Sequence, residues 1–202
     1  LNGTNWAEPK LKMSKVVNTE FNETFASYDP QDIKVYYITD GGHGGDLDII
    51  FSGKKDQEER YWGKGQSAGH EVNSAFHEGS VYMAPDGQTM YFCSQGHSSM
   101  GGYDVFFSKV VDQQTFSNPI NMGYPINTVD DDLFFTTSPD GARGYYASSH
   151  EGGYGDNDIY MVKLKDALSD PVTILKGYIY KGDEEYIPTG IVIMVTDLNE
   201  DT

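Results

Sequence analysis

Cationic side chains and cysteine are what this chain has least of. Lysine and arginine number 14 against 31 aspartates and glutamates, a net charge of −17, and Arg60 and Arg143 are the only arginines. Phosphate recognition needs clustered Lys and Arg, so nucleic acid is excluded as a partner. Attraction to anionic lipid is disfavoured for the same reason. The charge leaves open a basic protein partner, divalent cations, or solubility alone. The one cysteine, Cys93, rules out an intrachain disulfide framework. Set mid-strand in Tyr91-Phe92-Cys93-Ser94, it reads as a buried apolar thiol rather than a reactive one. No stretch approaches the ~18–20 consecutive apolar residues of a membrane helix, so no direct transmembrane segment is expected, and no signal peptide is evident. Helical signals are missing too: nothing long repeats with a period of 3.6, and Leu164 to Leu168 adds one turn at most.

Glycine and tyrosine are plentiful instead, at 23 and 15 residues, and they recur on a schedule. Asn18-Thr19, Asn73-Ser74 and Asn127-Thr128 are spaced by 55 and 54 residues, and each is followed at a fixed offset by an acid, Glu23, Glu78 or Asp132. A turn follows (Asp29-Pro30, Pro85-Asp86-Gly87, Pro139-Asp140-Gly141), then an aromatic strand at Tyr36-Tyr37, Tyr91-Phe92 and Tyr145-Tyr146. A glycine-rich loop then closes on Asp48, Asp104 and Asp158, while Trp6, Trp62 and Phe116 keep the same step. A repeat this regular decides the architecture before any single residue is interpreted.

The local signals within each repeat are strand signals. Ile33–Ile38, Leu47–Phe51, Tyr103–Phe107 and Ile159–Val162 are β-branched and aromatic. Ser138-Pro139-Asp140-Gly141 suits a type I turn, with Pro fixing φ at the second position. Four short strands plus turns account for a period near 55, which is one blade of a β-propeller. The fold class expected is therefore all-β. Blade repeats occupy about 18–72, 73–126 and 127–168, preceded by an outer strand at 5–13. That strand is in register with outer strands at Tyr61 to Gly65 and Phe116 to Met122. The inner triplets fall at roughly 21–53, 76–110 and 130–164. No outer-strand pattern follows Lys163, so the outer strand of the third four-stranded blade must come from elsewhere. Three blades do not close a ring. More blades upstream, making a six-bladed ring, are expected; pairing of two half-propellers is the alternative.

Ser138-Pro-Asp-Gly-Ala-Arg-Gly-Tyr-Tyr-Ala-Ser with Gly152-Gly-Tyr-Gly-Asp-Asn-Asp-Ile-Tyr, and Ala84-Pro-Asp-Gly-Gln-Thr-Met-Tyr-Phe-Cys-Ser with Gly101-Gly-Tyr-Asp-Val, resemble the WD40-like Pro-Asp repeat of TolB-like propellers. The Asp29-Pro30 copy inverts the dipeptide and lacks the glycine. Residues 171–202, with Lys176-Gly177-Tyr178 and Ile187-Pro188-Thr189-Gly190, resemble the first strands of a carboxypeptidase-regulatory-like β-sandwich. That order is similar to the OmpA-family outer-membrane-associated proteins, among them the PorE-like lipoproteins of type IX secretion systems. The resemblance implies a periplasmic, outer-membrane-associated scaffold. It implies protein partners in a cell-envelope or secretion complex, and peptidoglycan held through an OmpA-like domain outside this chain.

Candidate chemistry gathers at one end of the blades. His43, His97 and His150 fall in equivalent glycine-rich loops, on the side that carries Glu23, Glu78 and Asp132, with His70 and His77 nearby. Imidazoles and carboxylates together could bind a metal or act as acid and base. Separate blades hold the histidines well apart, however, and the carboxylates could equally bond backbone amides between blades. His43, His97, His150, Glu23, Glu78 and Asp132 are the candidate interaction face. Asp48, Asp104 and Asp158 each enter a strand after the loop and suit a structural role, accepting loop N–H groups. Asp46 with Asp48, and Asp156-Asn157-Asp158, offer oxygens of the kind Ca²⁺ takes, without a complete EF-hand loop. Asp130-Asp131-Asp132 is a third oxygen-rich run. Gly41-Gly42-His43-Gly44-Gly45 lacks the Lys-Ser/Thr of a phosphate-binding loop. No serine lies in a Gly-x-Ser-x-Gly elbow, and the Ser-Pro-Asp-Gly turn lacks the Trp of a sialidase Asp box. The sequence therefore favours a non-catalytic interaction propeller with no cofactor. The alternative is a metal- or ligand-binding propeller with hydrolase activity at the axial face.

Overall fold

The computed structural model describes residues 15–30, 33–41, 46–55, 62–112, 115–150 and 152–164. The chain divides into two compact units, Leu1–Val172 and Thr173–Thr202. The expected outer strand at 5–13 and the expected sandwich strands at 171–202 lie outside the described residues.

Among the described residues, eleven strands form three antiparallel sheets, one per blade. Blade 1 is β1 (Glu23–Tyr28), β2 (Lys34–Thr39), β3 (Asp48–Gly53) and β4 (Gln66–Ser67), hydrogen-bonded in that order. Blade 2 repeats it with β5 (Glu78–Met83), β6 (Thr89–Ser94), β7 (Asp104–Lys109) and β8 (Ile120–Asn121). Blade 3 has β9 (Asp132–Thr137), β10 (Arg143–Ser148) and β11 (Asp158–Lys163), and no fourth strand pairs with β11 among the described residues. The all-β propeller architecture is thus as expected, with the third blade showing three of its four strands.

The outer strands are shorter than the expected spans because each is interrupted. In blade 1 an isolated bridge Lys54↔Trp62 precedes the two-residue ladder of β4; in blade 2, Val110↔Phe116 precedes β8. Gly63-Lys64-Gly65 and Ser117-Asn118-Pro119 stand between, and glycine or an N–H-less proline weakens a ladder there.

Side-chain alternation explains the packing. In β6, Met90 and Phe92 turn toward blade 1 and pack with Tyr36, Ile38, Ile49 and Phe51, while Tyr91 and Cys93 turn toward Phe135 and Tyr146 of blade 3. A strand flanked on both faces is buried at every residue, as β6 is. The Cys93 thiol has no exposed surface, and burial pushes its pKa up to about 11.

The turn aspartates fix where each second strand begins. Asp86 Oδ1 accepts from Gln88 N and Thr89 N, both at 2.9 Å, and Asp140 Oδ1 accepts from Ala142 N at 3.0 Å. The inverted Asp29-Pro30 copy keeps that function. Asp29 Oδ1 accepts from Ile33 N and Lys34 N at 2.7 and 2.9 Å, across a turn two residues longer.

Asn73 and Asn127 join adjacent blades. Asn73 Oδ1 accepts from Ile49 N at 2.8 Å while its Nδ2 donates to Ile49 O at 2.9 Å. Asn127 does the same to Val105, at 2.8 Å for both bonds, and also donates to Asn121 Oδ1 at 2.7 Å. A side-chain amide supplies one acceptor and two donors, so it can replace a missing strand neighbour. Glu78 N donates to Leu47 O and Asp132 N to Tyr103 O, which ties the head of each inner strand to the preceding blade. Asn127→Ala would leave the buried Val105 N–H unpaired, while Met122 N still donates to Val105 O at 3.0 Å, so urea unfolding should show a loss of about 1–3 kcal/mol. An unchanged midpoint would contradict the role given to Asn127.

Candidate functional site at the carboxylate end of the blades

One end of every blade carries the same cross-strand row. The inner strand begins with an acid, the second strand ends with a hydroxyl, and the third begins with an aspartate. The rows are Glu23–Thr39–Asp48, Glu78–Ser94–Asp104 and Asp132–Ser148–Asp158, paired residue against residue. The Asn-Ser/Thr segments and the glycine-rich loops rise from this end, so the candidate residues share it. His43 lies outside the described residues.

The acids turn inward. Glu78 and Asp132 have no exposed surface. Glu78 Oε1 accepts from Ser74 N (3.1 Å), Ser74 Oγ (2.8 Å) and Ser94 Oγ (2.9 Å). Asp132 Oδ2 accepts from Thr128 N (2.6 Å) and Thr128 Oγ1 (3.1 Å), and Glu23 Oε1 takes Thr19 N (3.2 Å) and the Thr19 hydroxyl. In turn, Phe21 N, Phe76 N and Asp130 N donate to those three hydroxyls. Hydroxyl and acid thereby lock a tight turn of five residues, three times over. Within blade 3 the acid is one methylene shorter. Asp132 Oδ1 and Ser148 Oγ are both buried without a partner, whereas the equivalent Ser94 reaches Glu78. Burial is the main reason that the Glu78 carboxyl is pushed up to about 7; the Ser74 and Ser94 bonds pull it down, and the Asp48 charge adds to the rise.

The third-strand aspartates serve the loops. Asp104 Oδ2 accepts from Met100 N (2.7 Å) and Asn121 Nδ2 (2.8 Å), and Asp158 Oδ2 accepts from Tyr154 N (2.5 Å) and Gly155 N (3.3 Å). Asp131 Oδ1 accepts from Tyr103 N at 2.9 Å, matching His77 Nδ1, which accepts from Leu47 N at 3.0 Å. Asp46 stands 3.9 Å from that same His77 nitrogen. Among the described residues, no three His, Cys, Asp or Glu side chains converge so as to hold a metal ion.

The histidines do not form a ring of matched positions. Counted from the hydroxyl at the end of the second strand, His43 is four residues on, His97 three and His150 two. His97 lies edge-on to Phe92 and Phe106 and bonds Val72 O through Nε2 at 2.9 Å, and His150 packs at 5.4 Å against Tyr160, the counterpart of Phe106. Each caps the third-strand aromatic of its own blade. For His97 and His150 the recurrence therefore reflects packing.

Two groups of residues escaped the sequence reading. Phe25 and Phe134 stand two residues after the acids of blades 1 and 3. At both places the inner strand bulges, setting two residues against one of the next strand, and both residues take positive φ, 51° and 61°. Left-handed backbone is strained for an aromatic residue. The bulge throws the two rings together at 5.3 Å, each still about half exposed. Blade 2 has Ser80 there, whose Oγ accepts from Phe134 N at 3.3 Å. The signal was present in the sequence as an aromatic at the same offset in two of three repeats. Further out, Phe21, Phe76, Met100, Val129 and Tyr154 are exposed on the loops of this same end. Gly101 is required beneath Val129, since a Cβ there would collide with the Thr128 and Asp130 carbonyls of the next blade.

Two predictions follow the chemistry of the rows. Ser94→Ala should lose about 1–2 kcal/mol in urea unfolding, while Ser148→Ala, which removes an unpartnered buried hydroxyl, should be neutral or stabilising; equal losses would refute the difference. For Glu78 the folded pKa, about 7, lies above the ordinary 4.5. The stability that it contributes is complete below the ordinary value and is lost as pH rises through about 7. The stability of Glu78→Gln relative to the parent should therefore climb from pH 5 to pH 8, and a flat difference would refute the shift.

No family model and no curated protein matches this chain. Solved structures do resemble it. TolB from Acinetobacter baumannii matches with a TM-score of 0.52 at 14% identity, over 79% of this chain and 34% of that one. A protein described as TolB from Agrobacterium tumefaciens matches at 0.47 and 15% identity, over 71% and 46%. The periplasmic gluconolactonase PpgL from Pseudomonas aeruginosa matches at 0.43 and 12%, over 61% and 36%. The chain spans between a third and a half of the length of these structures. The likeness to the Acinetobacter structure is one of fold, and the chain has the fold of TolB-like propeller blades.

Proposed function

We propose that this chain is the propeller part of a non-catalytic, periplasmic, outer-membrane-associated scaffold that recruits protein partners. The observation that carries the reading is the division of labour at the carboxylate end. Glu78, Asp132, Asp104, Asp158, His97 and His150 are engaged in locking turns, closing loops and capping strands. The large apolar side chains left facing solvent there are Phe21, Phe76, Met100, Val129 and Tyr154, beside polar loop residues such as Asp130 and Asp131. Large apolar groups displayed on rigid loops are what protein recognition uses. A net charge of −17 favours a basic partner, chiefly through the association rate. The sequence resemblance supports a finer statement: the partners belong to a cell-envelope or type IX secretion complex, and an OmpA-like domain outside this chain holds peptidoglycan.

Crosslinking in a cell-envelope fraction tests the reading. The parent chain should capture envelope proteins in a salt-sensitive manner. The double variant Phe76→Asp/Val129→Asp should lose that capture by at least about tenfold, the effect of two anchor residues. His43→Ala and His150→Ala should leave it intact. Loss on histidine replacement or on chelation, with the double variant unaffected, would overturn the proposal in favour of metal-dependent chemistry.

A further inference from the structure

Both junctions between blades are built on the same pair of bonds, with one acceptor exchanged. Where blade 2 meets blade 3, Tyr103, the residue ahead of β7, is held from two sides. Its N–H donates to Asp131 Oδ1 at 2.9 Å, and its carbonyl accepts from Asp132 N at 2.7 Å. Where blade 1 meets blade 2, Leu47, the residue ahead of β3, is held from the equivalent positions. Its N–H donates to His77 Nδ1 at 3.0 Å, and its carbonyl accepts from Glu78 N at 2.9 Å. In both cases the side-chain acceptor comes just before the acid of the row. A carboxylate keeps its lone pairs throughout the neutral range, whereas an imidazole changes charge between pH 5 and 8.

The bond from Leu47 requires the neutral ring with its hydrogen on Nε2, because a protonated imidazole has no acceptor. A proton taken up from solvent goes to Nδ1, which then becomes a donor facing a donor. A replacement partner is already in place. Asp46 Oδ1 stands 3.9 Å from that nitrogen, and the two side chains are 43% and 45% exposed, so protons reach the ring freely. Uptake of one proton therefore exchanges partners: the Leu47 N–H is released, and His77 turns its charge to Asp46.

We propose that His77 is a pH-operated latch between blades 1 and 2, closed on Leu47 when neutral and opened toward Asp46 when protonated. His77 belongs to the Ser74–Glu78 turn, which also carries the exposed Phe76, so the latch sets how firmly that turn is held to the head of β3. The other ionisable groups placed at this junction are Asp48 and Glu78, which open β3 and β5. Glu78 acts with the opposite sign. Burial raises its pKa, so its contribution is lost as pH rises, whereas the latch is lost as pH falls. The inference is independent of the scaffold reading, because the latch is read from the chain alone.

Amide exchange followed by NMR between pH 5.5 and 7.5, corrected for the intrinsic rate, tests it. Protection of the Leu47 amide should fall about three- to tenfold toward pH 5.5, the worth of one hydrogen bond, while that of Tyr103 stays level. The nitrogen shifts of His77 should place its hydrogen on Nε2 at pH 7.5. His77→Asp copies the acceptor of the other junction and should make Leu47 as indifferent to pH as Tyr103. His43→Ala, in the loop ahead of Asp46 and outside the described residues, should leave the parent's response unchanged. Level protection of Leu47 in the parent would overturn the latch, as would a response that survives His77→Asp or disappears with His43→Ala. A hydrogen on Nδ1 at pH 7.5 would overturn it equally.

Discussion

Everything in this structure depends on how a blade closes the third strand of its predecessor. A short outer strand pairs with that strand over two residues only; Ala68 N and Met122 N still reach Ile49 O and Val105 O, but the N–H groups of Ile49 and Val105 are left to a side chain. A side-chain amide from the following repeat fills the gap: Asn73 takes both the N–H and the C=O of Ile49, and Asn127 those of Val105. Each asparagine starts a turn locked by hydroxyl and acid, so the amide, the turn and the head of the inner strand are placed together. The polar residues that repeat most faithfully are the ones that set the blade-to-blade geometry.

Much of this was legible in the sequence. The expected strands at 33–38, 47–51, 103–107 and 159–162 fall on β2, β3, β7 and β11 within two residues at either end, because β-branched and aromatic runs bounded by Pro, Asp and Gly leave few other choices. Hidden were the bulges in β1 and β9. An extra residue in an aromatic run does not break the pattern Phe-x-Ser or Phe-Phe-Thr, so nothing announced that Phe25 and Phe134 would meet. The direction of the acids was hidden as well: Glu78 reads as a surface charge until Ser74 and Ser94 are seen folded over it. His97 and His150 stand three and two residues beyond the hydroxyl that ends the second strand, an offset that the shared loop pattern alone does not announce.

The loop end therefore carries two kinds of residue with different duties. Carboxylates, hydroxyls and amides fix the scaffold and are largely withdrawn from solvent. Phe21, Phe76, Met100, Val129 and Tyr154 are held outward by that scaffold, and the strained pair Phe25–Phe134 sits at the inner strands. Strained backbone that persists at the mouth of a rigid fold accords with a surface selected for contact. Blade 2, with the buried Ser80 in place of the aromatic, breaks the symmetry there.

The central claim is that an asparagine side chain takes the N–H which the short outer strand leaves open in blades 1 and 2, and amide hydrogen exchange tests it residue by residue. The account predicts that the Ile49 and Val105 amides exchange as slowly as the middle of β6, opening only with global unfolding. Exchange of those two amides at the rate of the exposed loop amides would contradict it.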